Sequence, residues 1–126
     1  MALHRAYEDA EIDPKTVSLI EAHGTGTIVG DSTEFASLNE IFSKNNPCQQ
    51  YIALGSVKSQ IGHTKSAAGV ASLIKVALGL HHKILPPTIN VSQPNPKLKI
   101  EESPFYLNTQ TRPWLPINNE VPRRAG

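Results

Sequence analysis

Glu21-Ala22-His23-Gly24-Thr25-Gly26-Thr27 and Gly62-His63-Thr64 are the stretches on which the reading of this chain turns. Each sets a histidine beside a glycine and a threonine, just past a short apolar run. Val17-Ser18-Leu19-Ile20 leads into the first, and Tyr51-Ile52-Ala53-Leu54-Gly55-Ser56-Val57 leads into the second. Runs of that length between polar residues read as buried strands, and a helical pattern follows each. Two strand–loop–helix units predict an α/β fold. Both histidines then sit on loops past strand ends, where open α/β sheets hold their ligands.

Outward from these units, Leu3, Ala6, Tyr7 and Ala10 recur at helical spacing and predict a helix over 2–11, broken at Asp13-Pro14. A strand over 16–22 and a glycine-rich loop over 24–30 follow. Asp31-Ser32-Thr33-Glu34 is a capping signature ahead of Phe35, Leu38 and Phe42, so a helix is expected from there to about Ser43. Lys44-Asn45-Asn46-Pro47 closes it, and the second strand occupies 51–57. The longest helix is expected over 66–82. It is apolar nearly all round, with Lys75 its main polar interruption, so it needs protein on more than one side. The chain offers few elements to cover it, which points to a fragment of a larger fold.

All ten prolines except Pro14 and Pro47 lie beyond residue 84, and no helical pattern survives there. Phe105-Tyr106-Leu107-Asn108 is a candidate strand and Trp114 a candidate anchor. The expectation is one domain in two parts: a core over 1–83 carrying both histidine loops, and a proline-rich wrapping segment over 84–126.

The totals exclude more than they assign. With 126 residues, a formal charge of +1 and a single cysteine, the chain can hold one modest core and no internal disulfide. Only Arg123-Arg124 clusters basic charge, so no nucleic-acid partner is expected. No apolar run approaches the ~20 residues of a membrane span, and the N-terminus lacks a signal peptide's apolar core. The expected setting is the cytoplasm.

Gly24, Gly26 and Gly30 invite a dinucleotide reading, but their spacing is G-x-G-x-x-x-G and no acidic residue ends a second strand about twenty positions on. They are better read as letting the backbone turn so that His23 and the hydroxyls of Thr25 and Thr27 face one cavity. A zinc site would have to add Asp31, His81 or His82, yet none of the expected ligand spacings appears. His81 and His82 end a helix, where a dipole role suffices. Lys58 stands just past the second strand, where its charge would disfavour a protonated imidazole. Cys48 sits in a polar turn with nothing to lower its pKa. Two histidines, a lysine and hydroxyls make half of an acyl-transfer site, without a nucleophile.

These motifs, with Gly30-Asp31 and Glu34, Gly55-Ser56-Val57-Lys58-Ser59, Ala67-Ala68-Gly69, Leu85-Pro86-Pro87-Thr88-Ile89-Asn90 and Arg123-Arg124-Ala125-Gly126, resemble the β-ketoacyl synthase family of polyketide and fatty acid synthases. Lys58-Ser59-Gln60-Ile61-Gly62-His63-Thr64 and His81-His82-Lys83-Ile84-Leu85 are most similar to the ketosynthases of polyunsaturated fatty acid synthases. The resemblance implies part of the second half of an α/β, thiolase-like fold, layered αβαβα, with its sheet incomplete. It implies decarboxylative Claisen condensation of an acyl thioester with malonyl-acyl carrier protein. By resemblance His23 and His63 are the catalytic histidines, Lys58 supports the second of them, and Thr25 and Thr27 hold a phosphopantetheine arm. That arm would be carried by an acyl carrier protein, with no cofactor bound by this chain. The further partners implied are the N-terminal half of the ketosynthase and a second copy of the enzyme in a homodimer. The family's nucleophilic cysteine lies in an upstream motif that this chain does not carry, so the chain is expected to be inactive alone. Ser72 stands where some stand-alone ketosynthases place a glutamate. A non-catalytic partner like the chain-length factors is the alternative, and retention of His23, Lys58 and His63 weighs against it.

Overall fold

The computed structural model describes residues 2–91 and 93–126, and within them every side chain but that of Ile28. Three strands form a parallel sheet in the order β1 (Leu19–Glu21), β2 (Ile52–Gly55), β4 (Phe105–Leu107). Leu19 pairs with Ala53 and Ile52 with Phe105. Strands covered on both faces need apolar residues in succession, and Leu19-Ile20 and Ile52-Ala53 supply them.

Alternation divides those residues between two cores. Ile20, Ile52 and Phe105 face helices α1 (Ala2–Asp9) and α2 (Ile28–Phe42), packing with Val17, Phe35, Leu38 and Phe42. The rings of Phe42 and Phe105 meet edge to face at 5.4 Å between centroids. Leu19 and Ala53 face the other way, against Leu85, Trp114 and helix α4 (Ala68–His82). The sheet is thus covered by helices on both sides.

Between α1 and β1, Asp13 accepts a hydrogen bond from Lys15 N at 3.0 Å, and Pro14 starts a single 3₁₀ turn. This is the break that Asp13-Pro14 predicted. A single helical turn, α3 (Lys58–Ile61), separates β2 from His63, so His63 lies beyond that turn rather than directly past the strand.

The proline-rich segment does more than wrap. It contributes β4 to the sheet, and a two-stranded antiparallel ribbon of β3 (Ile84–Leu85) and β5 (Arg112–Pro113) that holds Trp114. The indole is buried and donates from Nε1 to Ser18 Oγ at 2.8 Å. The last residues return to the sheet: Ser18 N donates to Arg124 O, and Glu21 N to Gly126 O, along the outer edge of β1.

Two expectations about helices need correction. Helix α2 begins at Ile28, with Thr27 as its N-cap residue, rather than at Asp31. The capping signature fails because the Glu34 carboxylate is occupied elsewhere, by the loop that carries His23. In helix α4, Val76 and Leu80 pack on the second core and another apolar face stays uncovered, as the shortage of covering elements predicts, but Lys75 is not polar surface. Lys75 has only 8% of its side chain exposed, whereas Val70, Leu73, Ile74 and Leu78 are each more than half exposed.

Candidate active site

The two histidine loops converge at the C-terminal end of β1 and β2. The His23 and His63 rings meet edge to face, with centroids 5.6 Å apart and planes at 87°. Both side chains are exposed, so the site is open.

The first loop is pinned from three directions. The Glu34 carboxylate accepts His23 N at 2.6 Å through one oxygen and Gly24 N at 3.0 Å through the other. Ser56 Oγ donates to His23 O at 3.2 Å. Gly24 has φ +46°, and a Cβ there would lie 2.8 Å from Ser56 Cβ, so only glycine lets the loop approach β2 this closely. The hydroxyls of Thr25 and Thr27 lie 3.3 Å apart and are solvent-facing.

The protonation pattern of the imidazoles follows from their partners. Lys58 Nζ lies 3.3 Å from His23 Nδ1. An ammonium can only donate, so Nδ1 accepts and the proton of neutral His23 sits on Nε2. His63 Nδ1 accepts Lys65 N at 3.0 Å, a bond made possible by the left-handed backbone of Lys65, φ +55°. His63 therefore also carries its proton on Nε2. Its pKa is lowered below the ordinary histidine value, first by loss of surrounding water, then by the charges of Lys58, Lys65 and His23. With Nδ1 accepting in each ring, the donor left to each is Nε2–H.

Sequence reasoning placed His23, His63, Lys58, Thr25 and Thr27 in one neighbourhood, and the structure brings His23, His63 and Lys58 together. The structure adds one contact. Lys58 hydrogen-bonds His23, the first histidine, and reaches His63 through its charge. Glu21 and Lys75 received no role from sequence, yet they form a buried ion pair of 2.7 Å beneath the site. A lone lysine in an otherwise apolar helix, and a glutamate closing a buried strand, were the available signals.

Of the other candidates, Asp31 lines a cavity behind the first loop together with Gly24 and Glu34. Asp31 is in the first turn of α2, and His81 and His82 end α4. Among the described residues no three His, Cys, Asp or Glu side chains gather as metal ligands would. Cys48 is exposed on the turn before β2, at the end of the sheet opposite the histidines. The cavity behind the first loop is largely apolar, about 480 Å³, runs between α2 and the 88–98 segment and includes neither histidine. No helix among the described residues is long and apolar enough to cross a membrane.

The family model for the β-ketoacyl synthase C-terminal domain matches residues 1–92. The chain is 51% identical over 131 residues to a polyunsaturated fatty acid synthase polypeptide of Thraustochytrium sp., covering 99% of this chain and 5% of that protein. It is 43% identical over 126 residues to polyketide synthase PksM of Bacillus subtilis, covering 94% of this chain and 3% of that protein. Among solved structures, the ketosynthase from module 6 of the B. subtilis bacillaene synthase superposes with a TM-score of 0.90 at 46% identity. The match covers 98% of this chain and 23% of that ketosynthase. Ketosynthase twelve of the Bacillus amyloliquefaciens bacillaene synthase gives a TM-score of 0.92 at 42% identity, over 98% and 22% of the two chains. The chain thus spans about a quarter or less of these ketosynthases, and a few per cent of the synthases.

Proposed function

This chain belongs to the β-ketoacyl synthase family through its C-terminal domain, and from that premise we propose that it supplies the two-histidine half of a decarboxylative condensing site in polyketide or polyunsaturated fatty acid synthesis. Its helix–sheet–helix layers are part of the thiolase-like fold of its solved relatives. The observation that carries the reading is the pair of rings 5.6 Å apart, each with Nδ1 occupied by a donor and Nε2–H free.

The chemistry follows from those donors. A malonyl thioester loses carbon dioxide when the bond between its α-carbon and carboxylate breaks. The electron pair passes into the thioester, and negative charge develops on its oxygen. Two fixed Nε2–H groups beside that oxygen stabilise the charge as it appears, which is where preorganised donors lower a barrier. The enolate carbon then attacks the acyl carbonyl of a thioester on a cysteine of the other half. A carbon–carbon bond forms, the carbon–sulfur bond breaks, and the thiolate leaves. Lys58 keeps His23 in the donor tautomer and opposes protonation of His63. Thr25 and Thr27, at the mouth of the site, would hydrogen-bond the phosphopantetheine arm of an acyl carrier protein. The partners on this reading are the carrier protein, the N-terminal half of the ketosynthase and a second copy of the enzyme.

The test is a condensation assay on the full-length enzyme, with an acyl thioester and malonyl-acyl carrier protein, following both carbon dioxide release and β-ketoacyl product. Formation of both supports the reading. Acylation of the enzyme without either would refute it.

A further inference from the structure

Beneath the histidine loops, Lys75 reaches from α4 to the end of the sheet, and its Nζ donates to Glu21 Oε2 at 2.7 Å. Both side chains are almost wholly buried, 8% and 3% exposed. The second carboxylate oxygen, Oε1, accepts the backbone N–H of Val57 in a short hydrogen bond. Glu21 is two residues before His23, and Val57 immediately precedes Lys58, whose ammonium holds His23 Nδ1. A closed circuit results: Glu21 to Val57, Val57 to Lys58, Lys58 to His23, and His23 back along the chain to Glu21. Gly55 leaves room for it, since a Cβ there would lie 3.4 Å from Lys75 Nζ and 2.6 Å from Thr88 Oγ1.

We propose that the Glu21–Lys75 ion pair is a positioning device that sets the distance between His23 and Lys58, and with it the donor state of the first histidine. Burying a carboxylate and an ammonium is costly, and apolar residues would fill the same space as well or better for stability. A helix that exposes Val70, Leu73, Ile74 and Leu78 while burying a lysine is not using that lysine as core. The ammonium fixes one carboxylate oxygen so that the other meets Val57 N–H. Without it, Glu21 would have a single donor for a buried carboxylate and would turn outward. Lys58 would then lose its register against His23.

The inference rests on the proposed roles of His23 and Lys58, and its test separates the two. Three variants of the full-length enzyme are compared: Lys75→Met, the neutral pair Glu21→Gln with Lys75→Met, and the apolar pair Glu21→Leu with Lys75→Leu. The glutamine keeps an acceptor for Val57 N–H, while the leucines keep only volume. Displacing a reacting group by an ångström costs on the order of 10²-fold in rate. Lys75→Met and the apolar pair should therefore lower kcat for condensation roughly 10- to 100-fold with KM for the malonyl thioester little changed. The neutral pair should recover most of that loss. The apolar pair should match the parent's melting temperature, so its deficit is not one of folding. Nitrogen-15 spectra of the histidine rings supply a readout independent of turnover. The His23 Nδ1 resonance should lose its hydrogen-bonded position in the apolar pair and regain it in the neutral pair. A folded apolar pair with the parent's kcat and the parent's His23 resonance would overturn the proposal. A parent enzyme that does not condense, but whose His23 resonance shifts as described, would refute the catalytic reading and leave the positioning device standing.

Discussion

Lys58 Nζ lies 3.3 Å from His23 Nδ1 and not within hydrogen-bond reach of any nitrogen of His63, whose own Nδ1 is taken by Lys65 N. Each imidazole therefore has a private partner that can only donate. On the proposed reading the pair offers two independent Nε2–H donors rather than a proton relay from one ring to the other.

Removing either ring should remove one donor from the developing enolate. In the full-length enzyme His23→Ala and His63→Ala are each expected to lower condensation by ~10²–10³. Acylation of the cysteine in the other half should persist. Single-turnover condensation and acyl-enzyme mass measurements check this, and condensation at the parent's rate by either variant would remove that histidine from the mechanism.

The titration of His63 has a defined direction. Its pKa lies below the ordinary value of about 6.5, so the neutral ring persists as pH falls into that range. The unfolded chain then binds its proton at higher pH than the folded one. His63 therefore lowers stability progressively as pH falls from about 6.5 towards its folded pKa. Lys65→Gln keeps the backbone donor and removes one of the charges that oppose protonation. The His63 midpoint, followed by NMR in the full-length enzyme, should rise without reaching the ordinary value, because desolvation is the larger cause. A midpoint unmoved or lowered would refute the assignment.

Trp114 joins the proline-rich segment to β1 through Ser18 and is 1% exposed. Trp114→Phe removes the donor and leaves a gap beside Leu19 and Leu85. The lost bond alone should cost about 1–3 kcal/mol, and imperfect repacking adds to it. Thermal unfolding of the full-length enzyme should show a lowered midpoint, and an unchanged midpoint would mean the segment is held by other contacts.

Cys48 is exposed, on the turn that precedes β2. Cys48→Ser should leave condensation unchanged, and iodoacetamide should modify the thiol at the rate of an ordinary surface cysteine. A dead serine variant would place the nucleophile within this chain.

The exposed face of α4 should make the isolated 126-residue chain associate or open. Val70, Leu73, Ile74 and Leu78 are 53–67% exposed. Leaving such side chains in water forfeits up to roughly 1.5–3 kcal/mol each, against about 5–15 kcal/mol for a whole domain. Size-exclusion chromatography with hydrogen exchange tests this. A monodisperse monomer with strongly protected α4 amides would contradict it.

What the sequence determined by itself was the local pattern. Buried strands around Leu19-Ile20 and Ile52-Ala53, the loops that follow them, the break at Asp13-Pro14 and the anchoring indole were all legible. Each is written in residues next to one another or one helical turn apart. The tertiary structure alone decided the start of α2 at Ile28, because the loop ten and eleven residues earlier takes the Glu34 carboxylate. It decided which histidine Lys58 serves across 35 positions, and it buried Lys75 against Glu21 across 54. The apolar pattern of α4 marked a helix covered on several sides but could not say which side faces this sheet. That choice depends on where a charge finds its counter-charge, and the partner lies on another strand.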